Sequence, residues 1–126
     1  MGGVAVKVKL RNGTRTTAFG VAGQHTLMQA LIAAGAEIAL TYQGEALKKR
    51  VMPLAEEIGC RHVLPCDVTD GASCDAVFES LAKSWNKLDF LVHAIAFSDK
   101  AELDGRYVDT TEKNFTQTML ISCYSL

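Results

Sequence analysis

Long apolar runs, paired cysteine motifs, proline-rich linkers and an excess of charge of either sign are all missing from this 126-residue sequence. No hydrophobic stretch approaches the roughly 18 residues that a membrane span requires. Met1 to Leu10 ("MGGVAVKVKL") also lacks the apolar core and small-residue cleavage site of a secretory signal. The expectation is a cytoplasmic protein with no membrane partner. Thirteen basic and 14 acidic residues give a formal net charge of -1. Such a balance supplies no positive field for gripping phosphate backbones, so no nucleic acid partner is expected. Cys60, Cys66, Cys74 and Cys123 form no C-x-x-C pair, and His25, His62 and His93 are scattered. The tight ligand spacing of tetrahedral zinc is absent, and reduced core thiols are the expectation. With two prolines, no repeat and no low-complexity segment, the chain reads as one domain.

What is present is an alternation of two hydrophobic periods. Thr16 to Phe19 is a short β-prone run ending at Gly20. Thr26 to Ala34 then carries Leu27, Ala30, Leu31 and Ala34 at helical spacing before Gly35 closes it. Ala36 to Tyr42 ("AEIALTY") is a second strand. Glu45 to Ile58 places Leu47, Val51, Leu54, Ala55 and Ile58 on one helical face, with Pro53 expected to kink that helix or start a new segment. His62 to Cys66 reads as a third strand, and a helix capped near Thr69 or Asp70 follows. In it Cys74, Val77, Phe78, Leu81, Ala82 and Trp85 recur at helical spacing, which makes Trp85 a core residue. Leu88 to Ala96 ("LDFLVHAIA") is nearly continuous in apolar residues, as expected of a parallel strand covered on both faces. A last helix begins near Asp109, with Glu112 as the partner three residues on.

This alternation is the pattern of an α/β fold, a partial Rossmann arrangement with a parallel sheet and helices on both faces. Ligands in such sheets sit at the carboxyl ends of the strands. Gly20 to Gln24, Tyr42 to Gly44, Asp67 to Thr69 and Ala94 to Ser98 fall there. Gly20, Ala22 and Gly23 leave room for a phosphate to approach the backbone ahead of a helix N-terminus, although the run is not G-x-G-x-x-G and a plain loop fits equally. Asp67 is placed either to accept a hydrogen bond from an adenine amino group, with Val68 against the ring, or to serve as a turn or cap residue. Gln43 suits a ribose or adenine contact and also a solvated loop. Lys48, Lys49 and Arg50 could meet a 2′-phosphate, and they equally suit the wet face of a helix. Tyr42 and Lys49 have the spacing of a reductase tyrosine–lysine pair, but they fall on a strand end and the next helix, so no catalytic role is assigned to them.

The stretches "AEIALTYQGEALKKRVMPLAEEIG", "VLPCDV", "KLDFLVHAIAFSDKAELDGRYVDTT" and "ISCYS" closely resemble the bacterial NADH-dependent enoyl-[acyl-carrier-protein] reductases. These form a divergent branch of the short-chain dehydrogenase/reductase family. "HAIAF", where ordinary short-chain dehydrogenases carry Asn-Asn-Ala-Gly, points to that branch. The resemblance spans about Gly13 to Leu126, leaving residues 1–12 as an N-terminal extension and 13–126 as the N-terminal half of the reductase domain. It implies reduction of trans-2-enoyl groups on acyl carrier protein in fatty acid biosynthesis, with hydride from NADH, in a homotetramer. Carried over by position, it implies Gly20 at the dinucleotide turn, Gln43 near the adenosine, Asp67 and Val68 around the adenine, Ile95 beside the cofactor and Ser98 near the acyl substrate.

Two departures qualify the resemblance. Between Gly20 and Gly35 the chain is shorter than the family pattern by roughly four residues, about one helical turn, and it lacks the Ser-Ile pair, where Thr26-Leu27 is the available substitute. It also ends before the family's catalytic Tyr-x6-Lys segment, so no catalytic residue is assigned. The chain alone is expected to be inactive; the alternative is a non-catalytic half-Rossmann module that pairs with another subunit or fragment.

Overall fold

The computed structural model describes the backbone of residues 4–9, 15–20, 27–33 and 35–125. Side chains are described from residue 28 onward, apart from 30 and 34. The described elements are β1 (Val4–Lys9), β2 (Arg15–Gly20), α1 (Leu27–Ala33), β3 (Ala39–Tyr42), α2 (Gly44–Glu57), β4 (His62–Pro65), α3 (Gly71–Ala82) and α4 (Glu112–Met119). The architecture is α/β, as the alternating periods require. The sheet, however, differs from the expected single parallel array. β3 and β4 pair in parallel, whereas β1 and β2 form a separate antiparallel pair with Val4 opposite Gly20 and Lys9 opposite Arg15. β1 lies within the stretch expected as an N-terminal extension. Its sequence alternates Val4, Val6 and Val8 with Ala5, Lys7 and Lys9, and Asn12-Gly13 follows, a combination that signals a hairpin.

Glycines close the first two helices by one device. Ala36 N–H donates to the Leu31 carbonyl at 3.0 Å and Gly35 N–H to Ile32 at 2.8 Å; Cys60 N–H donates to Ala55 at 2.8 Å and Gly59 N–H to Glu56 at 3.2 Å. These paired bonds are Schellman motifs, which need a left-handed residue, and Gly35 (φ 85) and Gly59 (φ 66) supply it. Pro53 does not interrupt α2, which runs continuously through it. Pro53 is exposed, so the Lys49 carbonyl that loses its helical partner lies on the solvent side and water can satisfy it.

The core among the described residues consists of Leu31, Ala55, Val77 and Leu81. α2 packs on β3 and β4, and α3 packs on β4. The helical periods therefore predict the inward positions, but only in part: Leu47, Leu54 and Phe78 remain exposed. Trp85 is half-buried, not core. Its ring stands edge-on to His62 with centroids 5.2 Å apart, and its Nε1 is shielded from solvent with no acceptor.

The largest departure is Leu88 to Ala96, expected as a strand, which forms no ladder. Leu88, Phe90, Leu91, Val92 and Ile95 are exposed. A fully apolar parallel strand is stable only between two neighbours and two covering layers, and those are not assembled around this segment.

Gly59→Ala and Gly71→Ala separate backbone conformation from packing, because an added Cβ meets nothing within 4 Å at either position. Gly59→Ala is expected to lower stability by about 1 kcal/mol through its left-handed conformation. Gly71→Ala, in the first turn of α3 with an ordinary φ, is expected to raise stability by up to about 1 kcal/mol. Urea unfolding of the two variants checks the opposite signs.

Candidate functional site

The parallel register of β3 and β4 sets Tyr42 opposite Pro65, and the ladder continues with Cys66 N–H donating to the Tyr42 carbonyl at 2.8 Å. The residues immediately beyond the two strands are thereby brought together. Gln43 Nε2 donates to Asp67 Oδ2 at 3.4 Å, so two residues expected at an adenosine site from separate loops meet in space. Asp67 Oδ1 accepts from Thr69 N–H at 2.9 Å and from Thr69 Oγ1 at 2.6 Å. These donors stabilise the carboxylate: the Thr69 hydroxyl, then the Thr69 amide and then the Gln43 amide hold its pKa below the usual range, against a smaller opposing effect of burial. Asp67 is thus both a turn residue and an available acceptor. A carboxylate oxygen can take two donors, and Oδ2 carries only the long Gln43 bond.

The same turn leads into α3. Asp70 caps the helix by accepting from Ala72 N–H at 3.1 Å, so of the two expected caps, Thr69 and Asp70, the structure uses Asp70. Ser73 Oγ accepts from Asp67 N–H at 2.9 Å, and Val68 is half-buried beside it. Gly20 is the last residue of β2; the shortened run after it, residues 21–26, lies outside the described residues. Tyr42 ends β3 with Lys48, not Lys49, over its ring at 6.0 Å, and Lys48 also pairs with Glu45 at 3.5 Å. Lys49 and Arg50 are exposed.

Ser98 belongs to a second constellation, organised by α4. Ile95 is exposed, whereas Ser98 is half-buried and its Oγ accepts from Asn114 Nδ2 at 3.3 Å. Asn114 is 5% exposed, and its Oδ1 accepts from Asp99 N–H at 2.9 Å and Thr118 Oγ1 at 3.4 Å. Beyond α4 the chain widens into a π-helical turn, Leu120–Tyr124. Ser122 Oγ there accepts from Phe97 N–H at 3.0 Å, and Ser125 Oγ meets His93 Nε2 at 2.9 Å. The segment from His93 to Asp99 is therefore held by polar side chains.

The cap of α4 corrects the expectation of Asp109. Thr111 is the N-cap, accepting from Asn114 N–H at 3.2 Å. Glu102, from a preceding 3-10 turn, takes the role expected of Glu112 by accepting from Thr111 N–H at 2.9 Å and Thr111 Oγ1 at 2.8 Å. Asp109 instead receives both Arg106 Nε and Nη2, at 3.0 and 2.9 Å. Asn114 escaped the sequence reading because a polar residue at helical spacing gives no sign of burial.

An open groove of about 410 Å³ lies at the other end of the sheet, lined by residues of both Schellman turns including Gly35, Glu37, Gly59 and Arg61. It is separate from the strand-end site in the fold. Among the described residues there is no group of His, Cys, Asp and Glu able to hold a metal ion, and no helix is long and apolar enough to cross a membrane.

Two variants test these constellations. Thr69→Val deletes the strongest stabiliser of the Asp67 carboxylate while leaving the backbone donor, so the Asp67 pKa should rise, read by carboxyl-carbon NMR titration. A carboxylate with a depressed folded pKa stabilises the fold fully above its unfolded value of about 4 and loses that contribution as pH falls through the folded value. Thr69→Val should therefore move the acid limb of unfolding to higher pH. Asn114→Ala leaves the Asp99 amide and Ser98 hydroxyl without their partner and is expected to cost about 1–3 kcal/mol in urea unfolding.

The family described as Enoyl-(Acyl carrier protein) reductase matches residues 20–126. Enoyl-[acyl-carrier-protein] reductase [NADH] 2 of Rhizobium meliloti is 55% identical over 120 residues, which is 92% of this chain and 45% of that protein. The crystal structure of the Anaplasma phagocytophilum enoyl reductase in complex with NAD superposes with a TM-score of 0.73 at 55% identity, covering 84% of this chain and 42% of that one. The Aquifex aeolicus enzyme gives 0.74 at 34% identity over 79% of this chain. The chain spans less than half the length of these relatives, and with the family matched over residues 20–126 it is a member of the enoyl-(acyl carrier protein) reductase family.

Proposed function

We propose that this chain carries the adenosine-binding part of an NADH-dependent enoyl-[acyl-carrier-protein] reductase of fatty acid biosynthesis, working in the cytoplasm. The observation that carries the reading is the meeting of Gln43 and Asp67 at the carboxyl ends of two parallel strands. Bound NADH would supply hydride for reduction of a trans-2-enoyl thioester. The residues present fit its adenine end: Asp67 Oδ2 has acceptor capacity for an exocyclic amino group, Gln43 can donate or accept at its edge, and half-buried Val68 offers an apolar contact. Ile95 and Ser98 are assigned to the cofactor and acyl ends of the same site, and Gly20 to the turn that approaches the pyrophosphate. Tyr42 and Lys49 are the sequence's only Tyr-x6-Lys match and sit on different elements, so none of these residues is assigned a catalytic proton transfer. The chain alone is proposed to bind nucleotide without turning over.

A second reading draws on the exposed apolar run from Leu88 to Ile95. In it the chain is a non-catalytic half-Rossmann module that pairs with another subunit or fragment, the family's homotetramer being one such assembly. Light scattering on the purified chain separates a monomer from an assembled species.

The test of the first reading is a titration of the folded chain with NADH, following nicotinamide fluorescence, with NADPH as comparison. Saturable NADH binding is expected, weakened about tenfold by Asp67→Ala, which corresponds to one hydrogen bond of about 1.4 kcal/mol. Because Asp67 is ionised well below neutral pH, its part in binding should be constant from pH 5 to 8. No binding by a chain with a cooperative melt, or equal affinity in Asp67→Ala, would remove the strand-end site from this role.

A further inference from the structure

Thr69 takes no part in the proposed nucleotide contacts, yet it governs how Asp67 can make them. Its Oγ1 donates to Asp67 Oδ1 at 2.6 Å, and its N–H donates to the same oxygen at 2.9 Å. Two donors on one oxygen oppose rotation of the carboxyl group, because turning it breaks both bonds at once. The backbone beneath is held as well. Ser73 Oγ, from the first turn of α3, accepts from Asp67 N–H at 2.9 Å, and Asp70 N–H donates to the Asp67 carbonyl at 3.0 Å. Oδ2 is left with the 3.4 Å contact from Gln43 Nε2. Thr69 is exposed, so its side chain adds little to packing and its bonds to half-buried Asp67 are its main structural contribution.

An ionised carboxylate accepts hydrogen bonds and donates none. Toward a purine edge, Oδ2 therefore presents lone pairs and no proton. The 6-amino group of adenine meets them as a donor. A 6-oxo purine, hypoxanthine, sets a carbonyl oxygen at the same place, where two acceptors face each other and neither is satisfied. A carboxylate free to turn relieves that clash by swinging toward solvent; one held by Thr69 does not. We propose that Thr69 is a positioning residue that acts through Asp67 to make the strand-end site selective for a 6-amino over a 6-oxo purine dinucleotide. This role rests on the nucleotide reading of the site and goes beyond it, since Thr69 itself touches no ligand.

The experiment titrates the folded chain in parallel with NADH and with reduced nicotinamide hypoxanthine dinucleotide, its 6-oxo counterpart, following nicotinamide fluorescence for both. NADH is expected to bind about tenfold more tightly, the size of one charge-assisted hydrogen bond replaced by an unpaired acceptor. Thr69→Val keeps the backbone donor and the side-chain volume but deletes the hydroxyl, and should reduce that preference to about threefold. Thr69→Ser restores the hydroxyl and should return the preference to the wild-type value. Asp70→Ala is the structural control. It removes the cap on Ala72 N–H in the same turn but no donor to the Asp67 carboxylate, so it should lower the melting temperature and leave the preference unchanged. No saturable binding of either nucleotide by a wild-type chain with a cooperative melt removes the nucleotide reading, and this role with it. Equal wild-type affinity for the two nucleotides, an unchanged preference in Thr69→Val, a Thr69→Ser variant with the preference of Thr69→Val, or a lost preference in Asp70→Ala would overturn the role of Thr69 while NADH binding stands.

Discussion

Parallel pairing of two four-residue strands is the constraint on which the candidate site depends. With Tyr42 opposite Pro65, the next residue of each chain leaves its strand at the same height, and Gln43 and Asp67 become neighbours. A slip of one residue would turn the alternating side chains over and separate the pair. Pro65 is compatible with this register because alternate N–H groups along a strand point to opposite sides. Cys66 N–H faces β3, so the Pro65 nitrogen faces away, toward the unpaired edge where a missing donor costs least.

The turn beyond β4 then adds local order to that placement. Asp67 binds Thr69, its amide is held by Ser73, and Asp70 caps α3, so strand end, turn and helix start share one hydrogen-bond set. A carboxylate fixed by donors on one oxygen presents the other in a defined direction, which is what recognition of a planar amino group requires. The donors that make Asp67 a turn residue are also what fix the direction of its second oxygen.

Those parts of the fold were readable because their determinants are local. Periodicity marked α2 and α3, Gly35 marked the end of α1, and the strand-end rule singled out Gln43 and Asp67. The parts that escaped have distant determinants. Asp109 and Thr111 are both good caps by residue type, and what selects Thr111 is Glu102, nine residues away, satisfying its amide. Asn114 carries no mark of burial in its spacing, yet three groups depend on it. Pro53 looked like a break because propensity ignores where the orphaned carbonyl points. The β1–β2 pair escaped as well, since residues 1–12 are expected only as an extension, although valines alternate there before Asn12-Gly13.

Leu88 to Ala96 shows why composition alone does not make a strand. An apolar run gains stability as a parallel strand only when each side has a hydrogen-bonded neighbour and each face a covering layer. Here Ser125 meets His93 within the segment, and Ser122 and Asn114 hold Phe97, Ser98 and Asp99 just beyond it, leaving its apolar side chains exposed. The two ends of the candidate site consequently rest on different physics. Gln43 and Asp67 are set by a backbone ladder and a helix cap, which tolerate change in the surrounding side chains. Ser98 is set by a single polar side chain, Asn114, so its placement depends on a few hydrogen bonds. The placement of Gln43 and Asp67 can therefore persist in this chain under conditions where that of Ser98 is lost.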